Sequence, residues 1–205
     1  MNKIITISRE FGSGGKELGK RLADELGYSY YDSEIITLLA KETGMSEEYI
    51  KNISEKGIYP MAFQFGKTFA SFGALQSNQT EILVKQQEVL KKIAKKGNAI
   101  IVGRGANFVL KDYNPLNIFV YANMESKIRR CKEKGSEDEN LSDKELEKKI
   151  NQIDKARKNF YGMISGREWG EKDNYHLMIN TSDFEIKNII PSITQYVETF
   201  FRRDK

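Results

Sequence analysis

Hydrophobic positions along the chain fall into short uninterrupted runs that are separated by longer segments of mixed polarity. Four of these runs predict buried strands, and a weaker fifth run joins them: residues 4–7, 99–102, 118–121 and 177–179, with 28–31 as the weaker one. Short apolar runs without strict alternation are typical of parallel strands that are covered on both faces. The pattern therefore predicts a parallel sheet enclosed by helices.

The segments between the strands carry apolar residues at helical spacing. Leucines at every fourth position, followed by a glycine, mark a first helix over residues 18–27. Pairs with capping-box spacing, Ser142 with Glu145 and Ser182 with Glu185, predict the starts of two later helices. The alternation of strands and helices predicts a doubly wound α/β fold with right-handed crossovers.

The chain is predicted to form one domain over residues 1–205, with two segments that have the character of insertions. The first spans residues 44–79 and is rich in phenylalanine and glycine, and the second spans residues 135–173. In α/β phosphotransferases, such insertions commonly become lids that close over the substrate. Four phenylalanines between residues 63 and 72 either stack on a nucleotide base or form a small hydrophobic core.

Composition excludes several classes of function. The single cysteine, Cys131, cannot form an internal disulfide and fits a reducing compartment, so a cytoplasmic protein is expected. The single histidine, His176, argues against a multi-histidine metal site and against acyl transfer by a Ser-His-Asp triad. The start of the chain is too soon interrupted by charge to be a signal peptide, and no apolar run is long enough to cross a bilayer.

The net charge of +4 conceals a mixture of signs. Basic residues are spread along the predicted helices and are interleaved with acids, as in residues 144–149. Nucleic-acid binding is better supported by a basic stripe with interleaved aromatic residues. A solvated face together with some anion-binding arginines is the favoured interpretation.

A glycine-rich turn is the sharpest local feature. The segment Gly12-Ser13-Gly14-Gly15-Lys16 follows the first strand closely and opens the first helix. Glycines let the backbone approach phosphate oxygens, the helix N-terminus favours an anion, and a lysine can reach the outer phosphates. The order of strand, glycine turn, lysine and helix is that of a P-loop, although a glycine turn without a ligand is the alternative.

The match to the P-loop pattern is imperfect at two positions. Glu10 stands where the pattern has its first glycine, and Glu17 stands where it has a hydroxyl. That hydroxyl ordinarily helps to hold Mg²⁺, so no residue of this chain is assigned as a metal ligand.

Several blocks, in order and spread over nearly the whole chain, resemble the cytidylate kinase-like family, relatives of bacterial cytidylate kinase among the nucleoside monophosphate kinases. The blocks are residues 5–19, Tyr30-Tyr31-Asp32, residues 101–107 with Gly103-Arg104, residues 117–122, residues 153–161 with Asp154 and Arg157, Trp169-Gly170 and Asn180-Thr181-Ser182. The resemblance implies a five-stranded parallel sheet of the P-loop nucleoside triphosphate hydrolase type. It also implies ATP as phosphoryl donor, Mg²⁺, and a pyrimidine nucleoside monophosphate, CMP or dCMP, as acceptor.

The resemblance also assigns residues to roles. Residues similar to those that bind the donor nucleotide are Gly12, Ser13, Gly14, Gly15, Lys16, Glu17 and Arg130. Residues similar to those near the acceptor nucleotide are Asp32, Ser33 and Arg104. Lys16, Asp154 and Arg157 are the catalytic candidates: Lys16 and Arg157 would stabilise the transferring phosphoryl group, and Asp32 or Asp154 would orient the acceptor or hydrated Mg²⁺.

Two further positions depart from the family pattern. Gly105 stands where cytidylate kinases have an aspartate that reads the cytosine, and Ile150 stands where they have a lid arginine. The plainer interpretations are that Arg130 pairs with Glu133 or Glu125 on its own helix, and that Arg157 pairs with Asp154. Trp169-Gly170 is either a lid hinge or a packing anchor.

The sequence thus predicts a kinase that acts on small nucleotide substrates. The alternatives are a non-catalytic nucleotide-binding or regulatory protein, a kinase of a different small acceptor and, more weakly, a protein that binds nucleic acid through its basic helices. Glu17, Gly105 and Ile150 favour a changed acceptor or a lost activity, whereas Lys16, Arg104, Asp154 and Arg157 favour the enzyme. No oligomeric state is predicted.

Overall fold

The structure is a computed structural model that describes residues 2–50, 69–133 and 141–202, with the backbone alone for residues 69–79. Strands and helices alternate along most of this length. In chain order they are β1 (Ile4–Arg9), α1 (Gly15–Leu26), β2 (Ser29–Tyr31), α2 (Glu34–Thr43), α3 (Phe69–Lys96), β3 (Ala99–Val102), α4 (Ala106–Val109), β4 (Leu116–Tyr121), α5 (Met124–Glu133), α6 (Asp143–Ser165), β5 (Leu177–Asn180) and α7 (Ile186–Arg202).

Within the described residues, one parallel sheet of five strands has the order β2-β3-β1-β4-β5. The sheet confirms the predicted fold class and each predicted strand. The strands β1, β4 and β5 extend beyond the apolar runs that marked them. Because β1 is central, the glycine turn that follows it lies between the carboxyl ends of β3 and β4. Ligands of open α/β sheets bind at such a point.

Alternate residues of β1 and β3 enter two separate cores, one on each face of the sheet. Ile5 and Ile7 of β1 pack with α1 and α7, whereas Ile4 packs with α2 and α3. The predicted leucine stripe of α1 lies in the first of these cores. Burial on both faces explains why the strands appear in the sequence as continuous apolar runs.

The predicted start of α6 is confirmed, and that of α7 is wrong. Ser142 and Glu145 form a full capping box at the N-terminus of α6. The helix α7 begins at Ile186, beyond the serine of its predicted box. The Ser182 hydroxyl instead accepts a hydrogen bond from the backbone N–H of Asn123 (2.8 Å) and lies 2.6 Å from Asn180 Oδ1. This serine ties the end of β5 to the loop before α5.

Loss of the α6 cap is expected to destabilise the protein by about 1 kcal/mol, because the Ser142→Ala variant leaves first-turn N–H groups without their acceptor. Chemical denaturation with urea measures the change in the free energy of unfolding. Ser192→Ala, at an exposed position inside α7, is the matched control and should leave that free energy nearly unchanged. Equal effects of the two substitutions would contradict a capping role.

Residues 69–79, the last part of the first predicted insertion, are helical, since α3 begins at Phe69 and runs for 28 residues. The phenylalanine cluster lies outside the described side chains. Among the helices in the described ranges, none combines the length and the apolar character needed to span a bilayer.

Candidate active site

The glycine turn is shaped by two left-handed glycines. Gly12 has φ 74° and Gly14, which caps α1, has φ 81°. A Cβ atom on Gly12 would lie 3.0 Å from the carbonyl oxygen of Lys127, and one on Gly14 would lie 2.6 Å from Ile186 Cδ1. The turn therefore presents backbone at the N-terminus of α1, where the helix dipole favours an anion.

The lysine and the aspartate predicted to act at the site lie together. Lys16 Nζ is 3.0 Å from Asp32 Oδ2, and Arg9 Nη2 is 3.3 Å from Asp32 Oδ1. The Lys16 side chain is 67% exposed, whereas the Asp32 side chain is 12% exposed. Ser33 follows as the residue that precedes α2. A buried carboxylate thus holds two cations at the carboxyl ends of β1 and β2.

A cavity of about 170 Å³ opens beside this cluster. The side chains of Arg9, Arg104 and Arg157 line it together with Phe11, Phe160, Tyr161 and Trp169. Arginine binds two oxygens of a phosphate at once and stays charged at neutral pH. Guanidinium groups beside aromatic side chains suit the binding of a phosphorylated small molecule.

Arg104 is held in an unusual backbone conformation. Its φ of 60° is left-handed, and its neighbours Gly103 (φ 79°) and Gly105 (φ 62°) are left-handed as well. The buried Gln86 donates a hydrogen bond to the Arg104 carbonyl oxygen at 3.2 Å. A non-glycine residue in this region of φ is strained, and such strain is commonly found at functional sites.

The position that carries an aspartate in cytidylate kinases is closed by packing. A Cβ atom on Gly105 would collide with Ile164 Cδ1 of α6. Ile150, at the position of the lid arginine, is fully buried against Cys131 and Leu146 between α5 and α6. Ile150 is therefore a packing residue of α6, and Gly105 faces the Ile164 side chain of that helix.

Two charged residues of α6 reach the residues just before the glycine turn. The backbone N–H of Phe11 donates a hydrogen bond to Asp154 Oδ1 at 2.7 Å, and Arg157 Nη1 donates one to the Arg9 carbonyl oxygen at 3.0 Å. Arg157 Nη1 also lies 3.4 Å from Asp154 Oδ1. The predicted ion pair exists, and the same two side chains fasten α6 to the end of β1.

Lys127 of α5 is the site residue that sequence reasoning missed. Its side chain is 7% exposed, and its Nζ atom lies 2.6 Å from Glu10 Oε2 and 3.5 Å from Asp154 Oδ2. Glu10 Oε2 also accepts a hydrogen bond from the backbone N–H of Ala122 at 3.2 Å, so this carboxylate is paired rather than solvated. The available signal was the spacing of Lys127 and Arg130, which places both on one face of a helix.

Burial raises the pKa of the Asp154 carboxyl above its ordinary value of 3.8, and the Phe11 N–H, Arg157 and Lys127 oppose the rise. The folded state therefore binds this proton more tightly than the unfolded chain. The stability contributed by Asp154 is complete below 3.8 and decreases as pH rises through the raised pKa.

The free energy of unfolding should accordingly fall, relative to an Asp154→Asn variant, as pH rises from about 3.8 through the raised pKa. Urea denaturation of both proteins between pH 4 and pH 7 measures the difference. Asp24→Asn, at an exposed position of α1, controls for the loss of a carboxylate. The raised pKa of Asp154 would be contradicted if the wild type became more stable relative to Asp154→Asn as pH rose.

Arg130 is buried, and its hydrogen bonds differ from the plainer interpretation. It donates to Thr181 Oγ1 (3.3 Å), to the Phe184 carbonyl oxygen (3.1 Å) and to the Thr181 carbonyl oxygen. The residue that faces Glu133 is Arg129, at 3.9 Å. Burial, followed by the neighbouring Arg129, lowers the pKa of Arg130. Arg130 thus links α5 to the end of β5.

The described residues suit the phosphates of ATP better than they suit Mg²⁺. The left-handed glycines and the start of α1 form a cradle that suits the phosphates of a nucleotide. Glu17, at the position of the metal hydroxyl, pairs with Arg21 at 2.9 Å. In the described part of the chain, no group of three or more histidine, cysteine, aspartate or glutamate side chains could hold a metal ion. The described residues do not form a cage for a metal ion.

Trp169-Gly170 is a packing anchor. The Trp169 ring meets the Phe119 ring of β4 edge-on, with centroids 5.2 Å apart. Gly170 has φ 81°, and a Cβ atom there would lie 3.3 Å from Phe119 Cζ. The segment therefore closes one side of the cavity against the sheet.

Solved structures share this architecture. An uncharacterized protein from Eubacterium ventriosum has a TM-score of 0.67 at 23% identity, with 96% of this chain and 98% of that chain covered. Shikimate kinase from Acinetobacter baumannii, in complex with shikimate, has a TM-score of 0.55 at 16% identity, with 97% and 94% covered. These likenesses show that the fold is one used by P-loop kinases.

Curated relatives are similar along nearly the whole chain. Cytidylate kinase from Pyrococcus horikoshii is 25% identical over 196 residues, which cover 95% of this chain and 88% of that protein. Cytidylate kinase from Saccharolobus islandicus is 23% identical over 199 residues, which cover 96% and 91%. The model of the cytidylate kinase-like family matches residues 4–183. The chain therefore belongs to the cytidylate kinase-like family, whose model matches it from β1 to the residues that precede α7. It is an enzyme of the nucleoside monophosphate kinase type.

Proposed function

We propose that the chain transfers the terminal phosphoryl group of ATP to a nucleoside monophosphate, CMP or dCMP. The observation that carries the proposal is the cavity in which Arg9, Arg104 and Arg157 converge beside the glycine turn. Phosphoryl transfer needs cations and in-line positioning more than covalent chemistry from the protein. Guanidinium groups from β1, from the turn after β3 and from α6 provide both.

The donor side of the proposed reaction lies at the glycine turn. Residues 12–15 and the start of α1 would hold the outer phosphates of ATP, with Lys16 as a point charge on them. Glu17 and Arg130 would complete the donor side. To reach a phosphate, Lys16 would exchange its contact with Asp32 for a phosphate oxygen.

The acceptor side lies at the ends of β2 and β3. Arg104 would hold the phosphate of the acceptor nucleotide, with Asp32 and Ser33 near its sugar or phosphate. Arg157 would neutralise the charge that spreads over the transferring group. Asp154 would act by keeping the Phe11 N–H and Arg157 in place, as its contacts support.

Mg²⁺ enters the proposal as an ion bound by the nucleotide phosphates and by water. When bound in this way, it neutralises phosphate charge, and few protein ligands are needed. The predicted lid, residues 135–173, would close over the site through α6, and residues 44–79 would form the acceptor side. The single buried thiol of Cys131 fits a cytoplasmic setting.

A coupled assay of ADP release, with ATP and Mg²⁺ and a panel of nucleoside monophosphates, tests this function. Release that is stimulated by CMP or dCMP above the other nucleotides is the expected result. An Arg104→Ala variant should raise the KM for the acceptor, because it removes the proposed contact with the acceptor phosphate. The proposal fails if no nucleoside monophosphate stimulates release.

A second candidate function is transfer of the phosphoryl group to another small acceptor. The pairing of Glu17 with Arg21 favours it, and so does the Ile164 side chain in the space that a Cβ atom on Gly105 would need, because both stand where a cytidylate kinase has other features. Calorimetry with ATP separates the cases. Binding of ATP without stimulation by any nucleoside monophosphate would favour this second candidate.

A further inference from the structure

Gly15 and Lys16 open the first turn of α1. In the P-loop pattern, the lysine directly follows the last glycine, and Lys16 follows Gly15 in this way. Here the left-handed Gly14 precedes α1, and the residue that opens the helix is Gly15. Lys16 is the second helical residue, about 100° further around the helix axis. Its ammonium lies against Asp32 at the end of β2.

The space that a side chain of residue 15 would take is filled by Arg9. A Cβ atom built on Gly15 would lie 2.5 Å from Arg9 Cβ and 3.0 Å from Arg9 Cγ. Gly15 is not among the glycines with positive φ, so its backbone conformation does not require glycine. Glycine is also a poor helix former. Position 15 requires glycine because the Cβ and Cγ atoms of Arg9 occupy the space that a side chain there would need.

The guanidinium of Arg9 lies beside Gly103 and pairs with Asp32. A Cβ atom on Gly103 would collide with Arg9 Nη1. Asp32 Oδ1 holds Arg9 Nη2 at 3.3 Å, and the Arg9 side chain remains 21% exposed. Gly15 and Gly103 thus leave room for the Arg9 side chain, and Asp32 holds its guanidinium at the wall of the cavity that Arg104 and Arg157 also line.

We propose that Arg9 is a phosphate-binding residue of this site, whose guanidinium contacts oxygens of the transferring phosphoryl group. The inference rests on the proposed function and adds a residue to it. A planar guanidinium can bind two oxygens of that group at once, whereas a lysine offers a point charge. Asp32 then holds Arg9 in position when no phosphate is bound.

Turnover of an Arg9→Ala variant tests the inference. The expected result is a fall in kcat of about 100-fold, with the melting temperature nearly unchanged. Ethylguanidinium added at millimolar concentration should restore at least about a tenth of the lost kcat, because it can refill the vacated space. It should not affect Arg202→Ala, an exposed arginine of α7 that pairs with Glu198 and serves as matched control. An unchanged kcat, or no recovery with ethylguanidinium, overturns the inference.

Binding of tripolyphosphate separates this inference from the proposed function, since it needs no acceptor and no turnover. Calorimetry should show affinity for the wild type that is reduced about tenfold or more in Arg9→Ala and retained in Arg202→Ala. Equal affinity of wild type and Arg9→Ala overturns the role of Arg9, and so does a wild type that does not bind tripolyphosphate. Failure of every nucleoside monophosphate in the ADP-release assay, with this difference in binding intact, overturns the acceptor alone.

Discussion

Replacement of Arg157 by alanine is expected to lower kcat by about 100-fold to 1,000-fold without unfolding the protein. Arg157 lines the cavity and donates a hydrogen bond to the carbonyl oxygen of Arg9, so its guanidinium is fixed next to the proposed transferring phosphate. A preorganised cation acts most strongly where charge develops in the transition state. The loss should therefore appear in kcat more than in the KM for either nucleotide.

Steady-state kinetics together with thermal unfolding measure this effect. Lys155→Ala removes a positive charge from the exposed face of the same helix and is the matched control. Arg157→Lys should retain part of the activity, since it keeps the charge and loses the fork. A kcat of Arg157→Ala equal to that of the wild type would show that Arg157 only fastens α6 to the end of β1.

Replacement of Lys16 by alanine is expected to lower kcat by about 100-fold as well. Its ammonium contacts Asp32 at 3.0 Å, on the same carboxylate that holds Arg9, and is free to swing because the side chain is 67% exposed. The ammonium is largely exposed and Asp32 keeps Arg9 as a partner, so thermal unfolding should barely change. The effect on turnover would thus come from the proposed contact with phosphate.

Lys20→Ala, one turn further along the exposed side of α1, is the matched control for Lys16. Both variants lose one lysine from the same helix, so a general effect of charge would lower turnover equally in the two. A selective loss in Lys16→Ala supports a contact with phosphate. Equal turnover of both variants and the wild type would rule that contact out.

The strands and some helix boundaries could be predicted from the sequence because the signals for them are local. Apolar runs of residues 4–7 and 99–102 identify strands that are buried on both faces, and neighbours within a few positions are enough to find them. The capping box of Ser142 and Glu145 was predictable for the same reason. Ser182 had the same local pattern, yet its hydroxyl bonds to a loop 59 residues away in sequence.

The composition of the candidate site depended on the tertiary structure. Asp154 and the Phe11 N–H are 143 positions apart, and Lys127 reaches Asp154 across 27 positions. Such contacts follow from which strands are neighbours and from how α5 and α6 pack beside the sheet, and no spacing along the chain encodes them.

The three glycines of the turn show most clearly what the sequence determined by itself and what the tertiary structure decided. From the sequence alone, Gly12, Gly14 and Gly15 form one phosphate-binding turn. In the structure, positions 12 and 14 require glycine because their backbone is left-handed. Position 15 requires glycine because the Cβ and Cγ atoms of Arg9 occupy the space that a side chain would need. The chain determined by itself that a flexible turn follows β1, because glycine acts on its own backbone. Only the tertiary structure decided which side chain fills the space beside Gly15, because that space is bounded by residues of β1 and β4.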